Sequence, residues 1–323
     1  MDILSVEEIR KSFKSDFTRQ RSEVLHGVSF RASDGEVLGF LGPNGAGKTT
    51  TIKIILGLIR PDSGKVRVMG RDISDRGIKK VIGYMPEKAY FYNHLSLREF
   101  LEFCGRMSGM KGDLLRDRIS ELIELVGLSG SEDRKLKGFS KGMTQRAGLI
   151  QAIIHDPDLL ILDEPFSGLD PMGRKLIRDV LMRLRDEGKT IFFSSHILPD
   201  MEMICDRTCI IKKGRVVRQL SMGELTRVGE GKVDIRARSC PQEEIENIAD
   251  YIEGVRKNHD ESIISVSKQE YTRSVLTRLL DCGADILSVA TRHPTLEDVF
   301  LDEIESGSKG ESEKQEEIEA VTG

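Results

Sequence analysis

The sequence predicts an α/β fold, with a mainly parallel sheet, a helical insertion and a smaller α+β unit after it. Strand-like runs and glycine turns dominate the first third of the chain, and amphipathic helical runs replace them over residues 95–155. Residues 159–162 form a short, continuous apolar run, typical of a strand that a parallel sheet buries on both faces. With 323 residues, the chain is long enough for one large domain and a smaller one.

The predicted elements of the large domain alternate between strands and helices. The strands are residues 24–32, 36–41, 65–69, 81–85, 159–162, 190–194, 210–212 and 216–219, with the turn Ser33-Asp34-Gly35 between the first two. A helix runs from Lys48 to about residue 58, and Ser96-Leu97-Arg98-Glu99 has the pattern of a capping box at a second helix start. Another helix is predicted over 114–126, and Asp170-Pro171 opens a helix to about residue 187.

The C-terminal part follows a different pattern. Its predicted order is β-α-β-β-α-β over residues 232–236, 242–251, 254–258, 263–267, 271–282 and 286–290, which is that of a ferredoxin-like unit. We therefore expect domains at 1–227, with a helical subdomain at about 92–155, and at 228–304. Residues 305–323 are rich in Glu, Ser, Lys and Gly and are expected to be a disordered acidic tail.

Composition narrows the function classes. The net charge is −4, and because the tail carries six Glu and two Lys, the rest of the chain is close to neutral. The chain therefore lacks the surplus of basic residues that is typical of nucleic-acid-binding proteins. No apolar stretch approaches the roughly 20 residues of a membrane span, and the N-terminus does not resemble a secretory signal, so we expect a cytoplasmic protein. Five scattered cysteines favour packing over disulfides or zinc; for Cys205 and Cys209 we expect buried apolar packing.

A phosphate-binding loop is predicted at Gly42-Pro43-Asn44-Gly45-Ala46-Gly47-Lys48-Thr49, followed by Thr50. Glycines let backbone amides approach phosphate oxygens, and the following helix N-terminus favours anions. Lys48 is expected at the β- and γ-phosphates, and the Thr49 hydroxyl is expected to bind Mg²⁺. An accidental glycine turn is the alternative, but the strand before the loop and the helix after it argue against that.

Two carboxylates follow the apolar run 159–162. Asp163 and Glu164 are expected at the C-terminal edge of the sheet, where ligands of open α/β sheets bind. Asp163 is a candidate Mg²⁺ ligand, and Glu164 is a candidate base that orients and deprotonates an attacking water. An acidic turn at the end of a strand is the alternative reading of this pair.

Around these motifs, about residues 3–226 resemble the nucleotide-binding domain of ATP-binding-cassette (ABC) proteins, a RecA-like ATPase core. Five further segments match the family's order: Phe13, Tyr84-Met85-Pro86-Glu87 (the Q-loop), Phe139 to Arg146 (the signature), Ser167-Gly168-Leu169-Asp170 (the D-loop) and His196 (the switch histidine). The resemblance implies that Phe13 stacks on adenine, although a strand-core role is the alternative. It also implies that Ser140 and Gly142 bind the γ-phosphate of an ATP held by an opposing subunit.

The resemblance implies an ATPase that uses ATP and Mg²⁺, works as a homodimer or with a paralogous subunit, and is bound to an integral-membrane permease at the inner face of the cell membrane. Two departures, Glu87 in place of the usual glutamine and a Phe-Ser-Lys-Gly-Met signature, are similar to those of the ABC-2-type export branch. Pro294 to Leu301 resembles a motif that closes the extra domain of these exporters. In Glu87 the donor function of an amide is lost.

Other functions remain as alternatives. One is a soluble ABC ATPase acting on nucleic acid or ribosomes, which would usually carry two cassettes or a long coiled coil. A second is a phosphate-loop kinase or GTPase, which would lack the signature at Ser140 and the aligned His196. A third is an ATP-gated binding module without turnover. Phe91, Tyr92 and Leu95 could receive a permease helix or form the core of the helical insertion.

Overall fold

The computed structural model describes residues 2–14, 21–228, 233–258, 261–291 and 295–300. The chain divides into two compact units, the first ending at Leu220 and the second beginning at Ser221. The predicted domain limits stay predictions, and the predicted acidic tail lies outside the described residues. No described helix combines the length and the apolar character that a bilayer span requires.

A six-stranded sheet forms the centre of the first unit. The strands of this unit are β1 (Asp2–Lys14), β2 (Arg21–Ser33), β3 (Val37–Leu41), β4 (Ser63–Val68), β5 (Arg71–Asp72), β6 (Ile82–Met85), β7 (Leu159–Asp163), β8 (Thr190–Ser195), β9 (Arg207–Lys212) and β10 (Arg215–Ser221). The order in the central sheet is β10-β9-β3-β8-β7-β6, and the pairs from β9 to β6 are parallel. The predicted, mainly parallel sheet is confirmed.

A second, antiparallel sheet has the order β2-β1-β4-β5. The strands predicted on either side of Ser33-Asp34-Gly35 therefore belong to different sheets, since β2 pairs with β1 while β3 pairs with β8 and β9. The strand β1 was not predicted. A β-bulge with Glu8 at φ 49° interrupts its register between Val6 and Ile9, and this breaks the apolar alternation that indicates a strand.

Three phenylalanines join the two sheets of the first unit. Phe30 on β2 lies 5.2 Å from Phe40 on β3 and 5.3 Å from Phe192 on β8, measured between ring centroids. All three rings are buried. Burying aromatic side chains contributes much of a core's stability, so this cluster holds β3, which leads into the phosphate loop, against the antiparallel sheet.

The helices of the first unit are α1 (Lys48–Ile55), α2 (Leu97–Met107), α3 (Gly112–Leu125), α4 (Lys141–Ile153), α5 (Pro171–Asp186) and α6 (Leu198–Ile204). The predicted extension of α1 to residue 58 is wrong, because Gly57 adopts φ 68° and turns the chain out of the helix. The predicted start of α5 is confirmed: Asp170 Oδ1 accepts a hydrogen bond from the Gly173 amide at 2.9 Å, and Pro171 is the first helical residue.

The second unit has the predicted β-α-β-β-α-β order after a short leading helix. Its elements are α7 (Met222–Val228), β11 (Val233–Arg238), α8 (Gln242–Asn247), β12 (Ile252–Asn258), β13 (Glu261–Val266), α9 (Thr272–Asp281) and β14 (Asp285–Thr291). The strand order is β12-β13-β11-β14 with antiparallel pairing, which is the ferredoxin-like arrangement. Of the predicted closing motif at 294–301, residues 295–300 are described, and Leu296 is buried.

The predicted capping box at the start of α2 is confirmed. Ser96 Oγ accepts a hydrogen bond from the Glu99 amide at 3.2 Å, and Glu99 Oε2 accepts one from the Ser96 amide at 2.7 Å. We expect Ser96→Ala to lower the free energy of unfolding of this unit by about 1 kcal/mol, because an amide loses its partner. Urea unfolding measures this, with the exposed mid-helix Ser120→Ala as the control; equal stability of the two variants would contradict it.

Candidate functional site

The loop between β3 and α1 curls around its own lysine. Gly45 and Gly47 adopt φ values of 81° and 107°, a region open to glycine at little cost. Turns of this kind are typical of loops that present backbone amides to an anion. Lys48 Nζ donates a hydrogen bond to the Gly42 carbonyl at 2.7 Å, and its side chain is only 7% exposed. The loop therefore holds a positive charge at the start of a helix, an arrangement that suits a phosphate chain.

A cavity of about 510 Å³ opens over this loop. It is lined by Val24, Pro43, Asn44, Gly45, Gly47, Lys48, Thr49, Thr50, Glu87, Glu164, Ser167 and His196. Most of the predicted loop residues, Lys48 included, thus meet Glu164 and His196 in one cavity of a size that small-molecule sites have. Gly42 and Ala46, which are both buried, are the two loop residues that do not line it.

The two carboxylates after β7 differ in their contacts. Asp163 is buried, and its Oδ1 accepts a hydrogen bond from Ser194 Oγ at 2.6 Å. Glu164 lies between a cation and an imidazole, because its Oε1 is 3.4 Å from Lys48 Nζ and its Oε2 is 2.8 Å from His196 Nδ1. A carboxylate held next to an imidazole and a lysine can act on a water molecule in this cavity.

The backbone of Glu164 is strained and firmly held. Its φ is 52°, which is uncommon for a residue with a side chain. Its amide donates to Ser194 Oγ at 3.1 Å, and Gln145 Nε2 donates to the Glu164 carbonyl at 3.3 Å. Strained backbone persists where its surroundings enforce it and is concentrated at functional sites. Sequence reasoning missed Ser194; a hydroxyl within an apolar strand two residues before His196 was the available signal.

The predicted metal ligands of this site are oxygen donors. No group of three or more His, Cys, Asp or Glu residues that could hold a metal ion occurs in the described parts of the chain. Asp163 and Thr49 are an oxygen-donor pair of the kind that Mg²⁺ accepts when substrate phosphates and water complete its shell. Burial raises the pKa of the nearby Tyr84 to about 12, with a further contribution from Asp163, so this phenol stays neutral beside the site.

Besides Gly42, Ala46 and the buried Asp163, four predicted site residues do not line the cavity. Phe13 is on β1 opposite Ser22, 40% exposed, with Lys11 Nζ 5.6 Å from its ring centroid. Ser140 caps α4 and accepts a hydrogen bond from the Met143 amide at 3.3 Å. Gly142 and Asp170 line a separate groove of about 600 Å³. Conversely, Val24 and Ser167 line the cavity and were not predicted to do so.

The cysteines confirm the packing interpretation for one pair. Cys205 and Cys209 are buried, and burial raises the pKa of both thiols, to about 12 for Cys209. A thiol that stays protonated is a poor nucleophile and a poor metal ligand. Both residues therefore belong to the core rather than to the chemistry of the site.

Comparison with known proteins agrees with this geometry. A family model described as "ABC transporter" matches residues 25–167. An uncharacterized ABC transporter ATP-binding protein of Synechocystis is 38% identical over 303 residues, covering 93% of this chain and 84% of that protein. Nod factor export ATP-binding protein I of a Rhizobium species is 35% identical over 282 residues, covering 86% of this chain and 91% of the relative.

Solved structures show the same fold. An ATP-binding subunit of an ABC transporter is 31% identical with a TM-score of 0.62, covering 70% of this chain and 92% of the other. The bacterial cassette MJ0796, whose structure is described as dimeric, has a TM-score of 0.64 at 24% identity, covering 68% of this chain and 98% of the other. With the glycine loop, Glu164 and His196 lining one cavity, and with relatives 38% and 35% identical over most of their length, the chain belongs to the ABC transporter family, as an ATP-binding subunit that hydrolyses ATP.

Proposed function

We propose that this subunit hydrolyses Mg-ATP at the interface of a head-to-tail dimer and thereby drives an export permease in the membrane. The proposal rests on one observation: in the cavity above the phosphate loop, the carboxylate of Glu164 lies 3.4 Å from Lys48 Nζ and 2.8 Å from His196 Nδ1. Kinases and GTPases share the loop, but the aligned histidine and the α4 signature are features of the ABC family rather than of those enzymes.

The residues in the cavity divide the chemistry between them. Lys48 neutralises phosphate charge, and the amides of the glycine loop orient the triphosphate. Glu164 accepts a proton from the attacking water, and His196, through its 2.8 Å contact, fixes the orientation of that carboxylate. Glu87, on the cavity wall, accepts hydrogen bonds but cannot donate them as an amide would.

Asp163 and Thr49 would hold Mg²⁺ against the phosphates. The ion would supply further positive charge where negative charge develops in phosphoryl transfer. The Ser194 hydroxyl, 2.6 Å from Asp163 Oδ1, orients this carboxylate. Such an outer hydrogen bond fixes the position of a ligand before the metal arrives.

The signature supports the dimer part of the proposal. Ser140 and Gly142 stand at the start of α4, and the cavity above the Lys48 loop is lined by neither of them. A helix N-terminus with a serine hydroxyl is an anion site that faces outward in one copy. A second copy in head-to-tail arrangement would place this helix start over the γ-phosphate, and two-fold symmetry would complete both sites at once.

A dimeric site predicts how turnover depends on protein concentration. We expect the rate of ATP hydrolysis per molecule to rise as the protein concentration is increased, because only the dimer carries a complete site. Steady-state phosphate release over a wide concentration range measures this, and Ser140→Ala should lower the rate at every concentration. A rate per molecule that stays constant over the whole range would contradict the dimer.

Two observations support binding to a permease and the export direction: the name of a relative and an aromatic surface on the helical insertion. The Rhizobium relative is named as an export ATP-binding protein. On the helical insertion, Phe91 packs against Phe100 at 4.7 Å, while Tyr92, 54% exposed, packs edge-on against Phe103. Phe91 thus belongs to the core of the insertion, and Tyr92 with Tyr90 offers an aromatic surface beside Glu87 that suits a permease helix. The subunit would then lie peripherally on the inner face of the cell membrane.

A further inference from the structure

A carboxylate behind the switch histidine has an unusual environment. Asp200 lies on α6, four residues after His196, and its side chain is 13% exposed. Its Oδ2 is buried and has no hydrogen-bond partner among the described residues. A buried carboxylate oxygen without a hydrogen-bond partner destabilises the folded chain, and such a residue therefore points to a functional role.

The nearest cation is an arginine of the neighbouring helix. Arg174 Nη1 lies 3.8 Å from Asp200 Oδ2, which is within ion-pair range but too long for a hydrogen bond. The same guanidinium donates from Nε to the Leu169 carbonyl at 3.3 Å. Arg174 therefore touches both the loop that carries Ser167 and Asp170 and the helix that follows His196.

The Asp200 end of this contact is firmly placed. Met201 and Ile204 of α6 are buried, and α6 packs so closely on Gly39 of β3 that a Cβ there would clash with the Met201 and Cys205 sulfurs. Since β3 leads directly into the phosphate loop, α6 is anchored to the strand that positions Lys48. A change in the distance from Arg174 to Asp200 would therefore accompany a movement of α5, and of the loop whose Leu169 carbonyl Arg174 holds, relative to that frame.

We propose that Arg174 and Asp200 form a link through which the Ser167–Asp170 loop positions His196, and that both are positioning residues for ATP hydrolysis. A closer approach of about 1 Å would turn the ion pair into a charge-assisted hydrogen bond and satisfy the orphaned oxygen. This rests on the proposed role of His196, whose contact with Glu164 would depend on how α6 is held. Burial raises the pKa of Asp200, and the positive charges of Arg174 and Arg178 oppose that shift.

The test uses conservative variants of both residues. Asp200→Asn keeps the shape but removes the charge, and Arg174→Lys keeps the charge but cannot serve Leu169 and Asp200 together. We expect each variant to lower kcat about tenfold with little change in KM for ATP, and the double variant to be no slower than either single one. Glu187→Gln, which breaks an exposed pair with Arg183 on the same helix (2.9 Å), is the matched control and should leave turnover unchanged.

Binding stoichiometry separates positioning from folding. ATP bound per chain, measured without turnover, should stay at the wild-type value in all variants, whereas a variant that misfolds would lose it. Wild-type kcat in both single variants, losses that multiply in the double variant, or reduced ATP stoichiometry with unchanged kcat per bound ATP would each overturn the link. The kcat of each variant is compared with the kcat of the wild-type chain. A failure of the dimer proposal would change how the wild-type rate depends on protein concentration, but it would not change the ratio of variant to wild-type kcat.

Discussion

Replacing Glu164 by glutamine should lower ATP turnover by at least about a hundredfold while ATP still binds. The amide has nearly the same shape and can stay beside His196 Nδ1, now 2.8 Å from the carboxylate, but it cannot take a proton from water. Lys48 keeps its hydrogen bond to the Gly42 carbonyl, so the phosphate loop is unaffected. Phosphate release measures turnover, and equilibrium binding of a fluorescent ATP analogue measures the affinity of the phosphate loop for nucleotide.

The result for Glu164 also separates an enzyme from an ATP-gated module. Glu187→Gln makes the same chemical change at an exposed position of the first unit and should have no effect. If the Glu164→Gln variant turned over ATP like the wild type, another base would have to be found. If it lost ATP binding as well, the strained backbone at φ 52° would have relaxed, and the loss would be structural.

Lys48→Ala should weaken ATP binding by about a hundredfold or more, because a buried charge that pairs with phosphate disappears. The side chain is 7% exposed, and its ammonium also lies 3.4 Å from Glu164 Oε1, so the carboxylate would lose its cation as well. Isothermal titration with Mg-ATP measures the affinity directly. Turnover should fall in parallel, since a poorly held triphosphate is not aligned for attack.

Lys53→Ala is the matched control for the loop. Lys53 lies on the same helix, α1, but is exposed, so its loss should leave affinity and turnover near the wild-type values. Thermal unfolding of both variants checks that α1 still forms. Wild-type affinity in Lys48→Ala would refute the assignment of the phosphate site.

The parts of the fold that depend on local spacing could be predicted. The glycine spacing around Lys48, the capping box at Ser96 and the Asp170-Pro171 helix start each depend on neighbours within a few residues, and the structure has the last two as expected. The β-α-β-β-α-β order after residue 232 could also be predicted, because each element has its own local periodicity of apolar residues. The antiparallel sheet around β1 was not readable, since its bulge at Glu8 hides the alternation.

The sequence by itself determined that a phosphate loop, two carboxylates and a histidine exist, and in which order. Only the tertiary structure decided that Glu164 and His196, 32 positions apart, meet at 2.8 Å, and that Ser194 orients Asp163. It also decided that Phe13 lies outside the cavity lining and that Arg174 contacts both the Ser167–Asp170 loop and α6. The physical reason is that parallel strands bring distant chain segments to one sheet edge, and such contacts depend on strand order, which no local pattern encodes.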